Sequence, residues 1–192
     1  GKTVFAGQAP NNLVIDVEDG LISLNNHPDL IPDSVASVKH KSFAGLEMII
    51  DRLNKNAPQL SHFETLTVDS VSELHKRGLG EVLDRNHFAN AANNRYAAET
   101  EQHTENSEHI RRLVSSMRDL DRNLILLAHA RTIEPKGMPP KTFPDFSEKL
   151  ANTLAGIVDV VAYMYFRKNG DSVERVMRFH SNGTVVAKSR VG

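Results

Sequence analysis

Apolar positions along this chain fall into two kinds of pattern. Compact, largely apolar runs at Leu13–Val17, Phe63–Val68 and Leu124–Ala128 are bounded by polar or turn residues and predict buried strands, the last buried on both faces. Helical spacing appears at Phe43, Leu46, Ile49, Ile50 and Leu53, which predicts a helix over Ser42–Lys55 with Ser42 as its N-cap. A second stripe at Ile110, Leu113, Val114 and Met117 predicts an amphipathic helix, with Arg111, Arg112 and Arg118 off the stripe. Val4–Ala9 has room only for a short helix, which Pro10 stops, and Ser147–Leu154 forms another short one.

Polar stretches separate these elements. Residues 25–41 contain Pro28 and Pro32 and read as mostly loop. Residues 75–106 are rich in Asn, His, Glu and Arg and predict a helix fragment followed by a long mobile loop. Prolines at 135, 139, 140 and 144 argue against regular structure over 132–146. The end of the chain reads as a meander. Strands Val158–Phe166, Val173–His180 and Thr184–Lys188 are joined by Asn169-Gly170 and Asn182-Gly183, dipeptides that tolerate the positive φ of tight turns. The pattern predicts an α/β domain over 1–192. Its sheet is mainly parallel, with helices on both faces and a C-terminal antiparallel meander.

Composition narrows the chemistry. At 192 residues with 40% hydrophobic and 24% charged side chains, the chain is an ordinary globular sequence large enough for one full core. Having no cysteine, it has no disulfide, thiolate metal site or thiol nucleophile, which suits a reducing compartment. No apolar run approaches the ~20 residues of a membrane span, and no signal peptide is visible. A net charge of -1 provides no global attraction to nucleic acid, so any such binding needs a local basic surface. The nine histidines show no metal-ligand spacing.

Candidate chemistry sits at strand ends. Gly1-Lys2-Thr3 matches the last three positions of a phosphate-binding loop, in which the Lys ammonium reaches the β- and γ-phosphates and the Thr hydroxyl ligates Mg²⁺. Taken alone, the tripeptide is also an ordinary surface sequence. Asp69, followed by Ser70, ends an apolar strand where an acid can hold Mg²⁺ and its water shell; the bland alternative is a helix cap. Glu18 is placed to deprotonate a water attacking the γ-phosphate, or to be a solvated loop acid, while the deeper Asp16 reads as structural. His129 closes an apolar strand and can contact the γ-phosphate or serve the fold. Lys188 and Arg190, two apart on a strand, share one side. They form either a protective basic edge or a finger reaching the nucleotide of a neighbouring subunit.

These residues resemble the core of RecA-family recombinases, and most of all the compact phage RecA-like proteins of single-strand annealing and recombination. Gly1-Lys2-Thr3 resembles the end of Walker A, Ile15-Asp16-Val17-Glu18 the strand ending in the water-activating Glu, and Val68-Asp69-Ser70 Walker B. Ala128-His129-Ala130-Arg131 is similar to the phage-type strand end, and Ala187-Lys188-Ser189-Arg190 to the paired interface fingers. The first strand and the head of the phosphate loop are missing from the matched pattern.

The resemblance implies an ATPase using ATP and Mg²⁺. It would assemble with itself as a ring or filament, bind single-stranded DNA and promote annealing or recombination, in the cytoplasm of a phage's bacterial host. A single-strand-binding protein is a further implied partner, and a membrane is not. By position, the DNA-binding loops would be about 75–106 and 132–146, the second carrying Arg131, Lys136 and Lys141 with little acid. The alternatives are a RecA-fold helicase or helicase-loader motor, and a nucleotide-bound scaffold that does not hydrolyse.

Overall fold

Leu13, Val14 and Ile15 have no exposed face, and the strand that contains them, β1 (Asn12–Asp16), is buried along its whole length. The computed structural model describes residues 1–21, 24, 26, 29, 35–39, 41–87 and 100–190. They form two compact units, Gly1–Ala128 and His129–Gly192.

In the first unit, β1 lies between β2 (Ala36–Lys39) and β3 (Thr65–Asp69), and β4 (Asn123–Leu126) lies beyond β3. All three pairings are parallel. Parallel neighbours require crossover connections, and helices supply those from β2 to β3 and from β3 to β4. α1 (Lys2–Gly7) precedes β1, and α2 (Phe43–Asn54) leads into β3. α3 (Val71–His87) and α4 (Thr100–Arg118) lie between β3 and β4. The Ser42 side chain accepts from Gly45 N at the start of α2, and the expected stripe of Phe43, Leu46, Ile49, Ile50 and Leu53 is buried. Each such side chain contributes about 1.5–3 kcal/mol of burial.

Three expectations for this unit change. Residues 75–106 are mostly helix: α3 continues to His87 and α4 begins at Thr100, with 88–99 outside the described residues. The stripe of α3 is hard to read because its contact position is Gly78. A Cβ there would lie 2.0 Å from Phe43 Cζ and 2.6 Å from Asn106 Oδ1, so only glycine admits this approach. On α4 the buried stripe begins with a polar residue, Asn106, which donates to the carbonyl of His75 at 2.8 Å. The third strand is β4, whose residues run from exposed to half-buried; among the described residues it pairs on one side only, with β3. Residues 36–39, inside the stretch read as mostly loop, form β2, while much of 22–34 lies outside the described residues.

The second unit is built from hairpins and one helix. β5 (Ala130–Ile133) pairs antiparallel with β6 (Lys141–Pro144), in a region where four prolines argued against regular structure. Pro135, Pro139 and Pro140 lie in the connection, and Pro144 is the last residue of its strand, so no interior donor is lost. Gly137 takes φ +77° within the connecting turn, where Met138 N donates to Pro135 O at 3.0 Å.

α5 (Glu148–Ile157) is capped by Ser147 and buries Leu150, Ala151 and Leu154. The expected meander is divided. β7 (Val160–Val161) pairs with β10 (Lys188–Ser189), and β8 (Tyr163–Asn169) pairs with β9 (Ser172–Arg178) around Gly170. In place of a strand over 184–188 there is a single parallel bridge from Val185 to Thr142.

Candidate functional site

The C-terminal ends of β1, β3 and β4 are laced together. Asp16 stands opposite Asp69 in the register and opposite Lys39 on the other side. Val17 N donates to Asp69 O at 2.8 Å, and Leu127 N donates to Val68 O at 3.0 Å. Laterally paired residues share a face, so Asp16 and Asp69 emerge side by side at this edge. Ligands of open α/β sheets collect at such an edge.

α1 is fixed at both of its ends, one of them at this edge. Thr3 Oγ1 donates to Asp69 Oδ2 at 2.7 Å. At the other end of the helix, the fully buried Asn12 donates from Nδ2 to Ala6 O at 2.8 Å and accepts at Oδ1 from Thr67 Oγ1 at 3.0 Å. Asn12 therefore ties the six-residue helix to β3 through β1. A helix this short has little stability of its own, so its place depends on such attachments. Pattern reading gave Asn12 no role; the one available signal was an amide at the edge of an apolar run.

Asp69 is only 4% exposed. Burial pushes its carboxyl above the usual carboxylate range, and the Thr3 hydrogen bond opposes that rise. The negative charges of Glu18 and Asp16 push it further up, and the Lys2 ammonium pulls it down. Asp16 accepts from Gly20 N at 3.1 Å through Oδ1, which closes the loop after β1. Its Oδ2 is buried with no hydrogen-bond partner among the described residues. Asp19, with φ +61°, is ion-paired with Lys39 at 3.3 Å and with Lys41. The hydrogen bond from Lys41, then that from Lys39, holds its carboxyl below the usual range.

Ser70 links Glu18 to α3. Its hydroxyl donates to Glu18 Oε1 and accepts from Glu73 N at 3.3 Å, so it caps the helix while orienting the acid. The Asp69–Ser70 peptide bond is cis. Thus Thr3, Asp69, Ser70 and Glu18 come together through direct hydrogen bonds, and the Lys2 charge acts on the same carboxylate. Among the described residues, no three His, Cys, Asp or Glu side chains gather where they could hold a metal ion by themselves. A divalent cation at Thr3 and Asp69 would draw its remaining oxygens from a phosphate and water.

The other candidates belong to the second unit. His129 is its first residue, half-buried, and its carbonyl accepts from Asp145 N at 2.8 Å. Arg131 is exposed on β5, and Lys136 is exposed in the turn before β6. Arg131 pairs with Phe143 and Ile133 with Lys141, which puts Arg131 and Lys141 on one face of the hairpin. Lys141 is ion-paired with Glu148 at the start of α5.

Lys188 Nζ donates to Val158 O at 2.7 Å and to Ala155 O, while Arg190 Nη2 donates to Gly156 O at 2.8 Å. Arg190 Nη1 also lies 3.2 Å from Asp159 Oδ1. Both cations therefore sit on the C-terminal carbonyls of α5, where the helix dipole favours positive charge. Among the described residues no helix is long and apolar enough to cross a membrane.

A family model described as AAA domain matches residues 1–191. A search of curated proteins found no match.

Proposed function

Since the chain belongs to the AAA domain family, we propose that it is a Mg²⁺-dependent ATPase of RecA-like build. It would assemble side by side as a ring or filament, bind single-stranded DNA and promote annealing or recombination. Family membership supports a nucleotide-binding ATPase with a P-loop, and the parallel sheet β2-β1-β3-β4 fits that fold. The observation that carries the nucleotide reading is the 2.7 Å hydrogen bond from Thr3 to Asp69. It joins a hydroxyl and a carboxylate at the ligand-bearing edge of a parallel sheet, and this pair of oxygens suits Mg²⁺.

In this reading Lys2 holds the β- and γ-phosphates, while Thr3 and Asp69 hold the cation. Mg²⁺, when bound, neutralises phosphate charge. Glu18 accepts the proton of the attacking water, and the Ser70 hydroxyl keeps its carboxylate aimed. His129 senses the nucleotide and passes its state to the β5–β6 hairpin. Arg131, Lys136 and Lys141 follow the DNA phosphates along that hairpin. Lys188 and Arg190 exchange the α5 carbonyls for the phosphates of a neighbouring subunit's nucleotide on assembly. A phage origin, the bacterial cytoplasm and a single-strand-binding partner belong to the same reading.

Calorimetry with Mg-ATP tests the nucleotide half. The wild type should bind and Lys2→Ala should not; equal affinity in the two would defeat it. Anisotropy with a labelled oligo-dT tests the DNA half. Binding should weaken with salt, and Lys136→Ala/Lys141→Ala should flatten the salt slope by about one to two units. An unchanged slope would place the DNA surface elsewhere.

A further inference from the structure

The β8–β9 hairpin has strands of seven residues, and neither face is fully buried. Its two faces differ in charge. On one, Glu174 is held by Arg167 at 2.9 Å and by Asn169 at 2.6 Å, so its acid is neutralised within the hairpin. The opposite face is formed by the register pairs Met164–Met177, Phe166–Arg175 and Lys168–Val173, and carries no acid. Phe166 is 66% exposed and Val173 63%. The Arg175 guanidinium lies over the Phe166 ring, 5.0 Å from its centroid. Lys168 and Arg175 make no ion pair among the described residues.

Phe, Met and Arg are common in protein interfaces, but two cations with no acid on the face leave uncompensated positive charge, and interface cores are depleted of charge, lysine above all. The face is a good partner for a ligand that offers flat π-surfaces and negative charge together. Residues two apart on a strand are spaced by roughly 7 Å, so the Phe166 ring and the Lys168 ammonium spring from neighbouring sites on this face. A base needs an accessible face to stack, which a duplex hides, so the match is to a single strand.

We propose that the Phe166–Arg175 face of this hairpin binds single-stranded nucleic acid, stacking a base on Phe166 while Lys168 and Arg175 take phosphates. The inference rests on the single-strand binding proposed above and assigns it a second surface, separate from Arg131, Lys136 and Lys141.

The chain has no tryptophan, so Phe166→Trp places its sole indole on this face. Titration with oligo-dT should quench that fluorescence, whereas an abasic oligonucleotide of equal length and charge should not. Phe166→Ala should weaken oligo-dT binding by roughly tenfold, and Lys168→Ala/Arg175→Ala should lower the salt slope by about one unit. Suppose the wild type binds oligo-dT, Phe166→Ala binds it equally well and the indole responds alike to the abasic strand. The inference then falls, while single-strand binding stands. If the wild type binds neither oligonucleotide, both fall. An indole signal that follows protein concentration without nucleic acid would assign the face to a second copy of the chain and overturn the inference.

Discussion

The Thr3 hydroxyl donates to Asp69 Oδ2 at 2.7 Å across 66 positions of sequence. This bond joins the first turn of α1 to the end of β3 and favours a charged carboxylate in a setting that otherwise resists charge.

That setting has a pH signature. Burial raises the Asp69 pKa above its unfolded value, so the folded state holds this proton more tightly. The contribution therefore favours the fold at low pH and fades as pH rises through the folded-state value. Asp69→Asn should melt at a higher temperature than the wild type near neutral pH, with the gap narrowing on acidification. The same substitution should weaken the Mg²⁺-dependent part of nucleotide binding. Thermal melts between pH 4 and 8 check the first outcome and calorimetry the second. A mutant less stable than wild type at neutral pH would contradict this account.

Asn12→Ala strands two buried partners, the Ala6 carbonyl and the Thr67 hydroxyl. We expect a loss of about 2–4 kcal/mol in urea denaturation. Nucleotide affinity should fall as well, because α1 loses its second attachment. Asn12→Asp keeps an acceptor for Thr67 but sets a buried carboxylate against the Ala6 carbonyl, and should be no more stable than Asn12→Ala at neutral pH.

Two glycines of α3 should respond oppositely to alanine. Gly78→Ala drives a Cβ into Phe43 and Asn106 and should cost about 1–3 kcal/mol despite its better helix propensity. Nothing lies within 4 Å of a Cβ at Gly80, so Gly80→Ala should stabilise by about 0.5–1 kcal/mol. Chemical denaturation of the two variants decides the matter.

Glu18→Gln keeps the shape of the side chain but removes the base. ATP hydrolysis should drop by roughly 10²-fold or more with binding nearly unchanged. Ser70→Ala should also slow hydrolysis, but less, because it removes one hydrogen bond from the Glu18 carboxylate without neutralising it. A wild-type rate in Glu18→Gln would remove the residue from the chemistry.

Lys188 and Arg190 occupy the end of α5 in a single chain, so removing them carries a folding cost of about 1 kcal/mol as well as any catalytic one. If they serve a neighbour's nucleotide, Lys2→Ala and Lys188→Ala/Arg190→Ala proteins should regain part of the ATPase activity when mixed. No recovery at any ratio, with co-assembly confirmed by light scattering, would confine the pair to the helix terminus.

The strand ends were legible because their signal is local. Leu13–Ile15 and Leu66–Val68 mark buried strands within a few residues, and the acids that follow stand out against them. Lys2 and Thr3 drew notice because they match the end of the fixed spacing of a phosphate-binding loop, and the contact of Thr3 with Asp69 became visible only in the fold. What escaped depends on residues brought together by the fold. Asn12 looks like a boundary residue until Ala6 and Thr67 are seen on either side of it. Gly78 looks like a gap in a helical stripe until Phe43 fills it. The β5–β6 hairpin was hidden by its prolines, whose number argued against regular structure while their positions allowed a turn. Lys188 and Arg190 were noticed for their charge, yet the helix end that takes that charge lies some thirty positions upstream.

With Thr3 tied to β3 at one end and Ala6 tied to Asn12 at the other, α1 has little freedom left to lose. The entropy of placing its first turn is spent during folding rather than during association. If a nucleotide binds at this edge as proposed, it should find the Thr3 hydroxyl already in position, so its binding at this point should show a small heat-capacity change and an on-rate set by diffusion and charge. Slow, ordering-limited steps, where they occur in the cycle, would then belong to other parts of the chain.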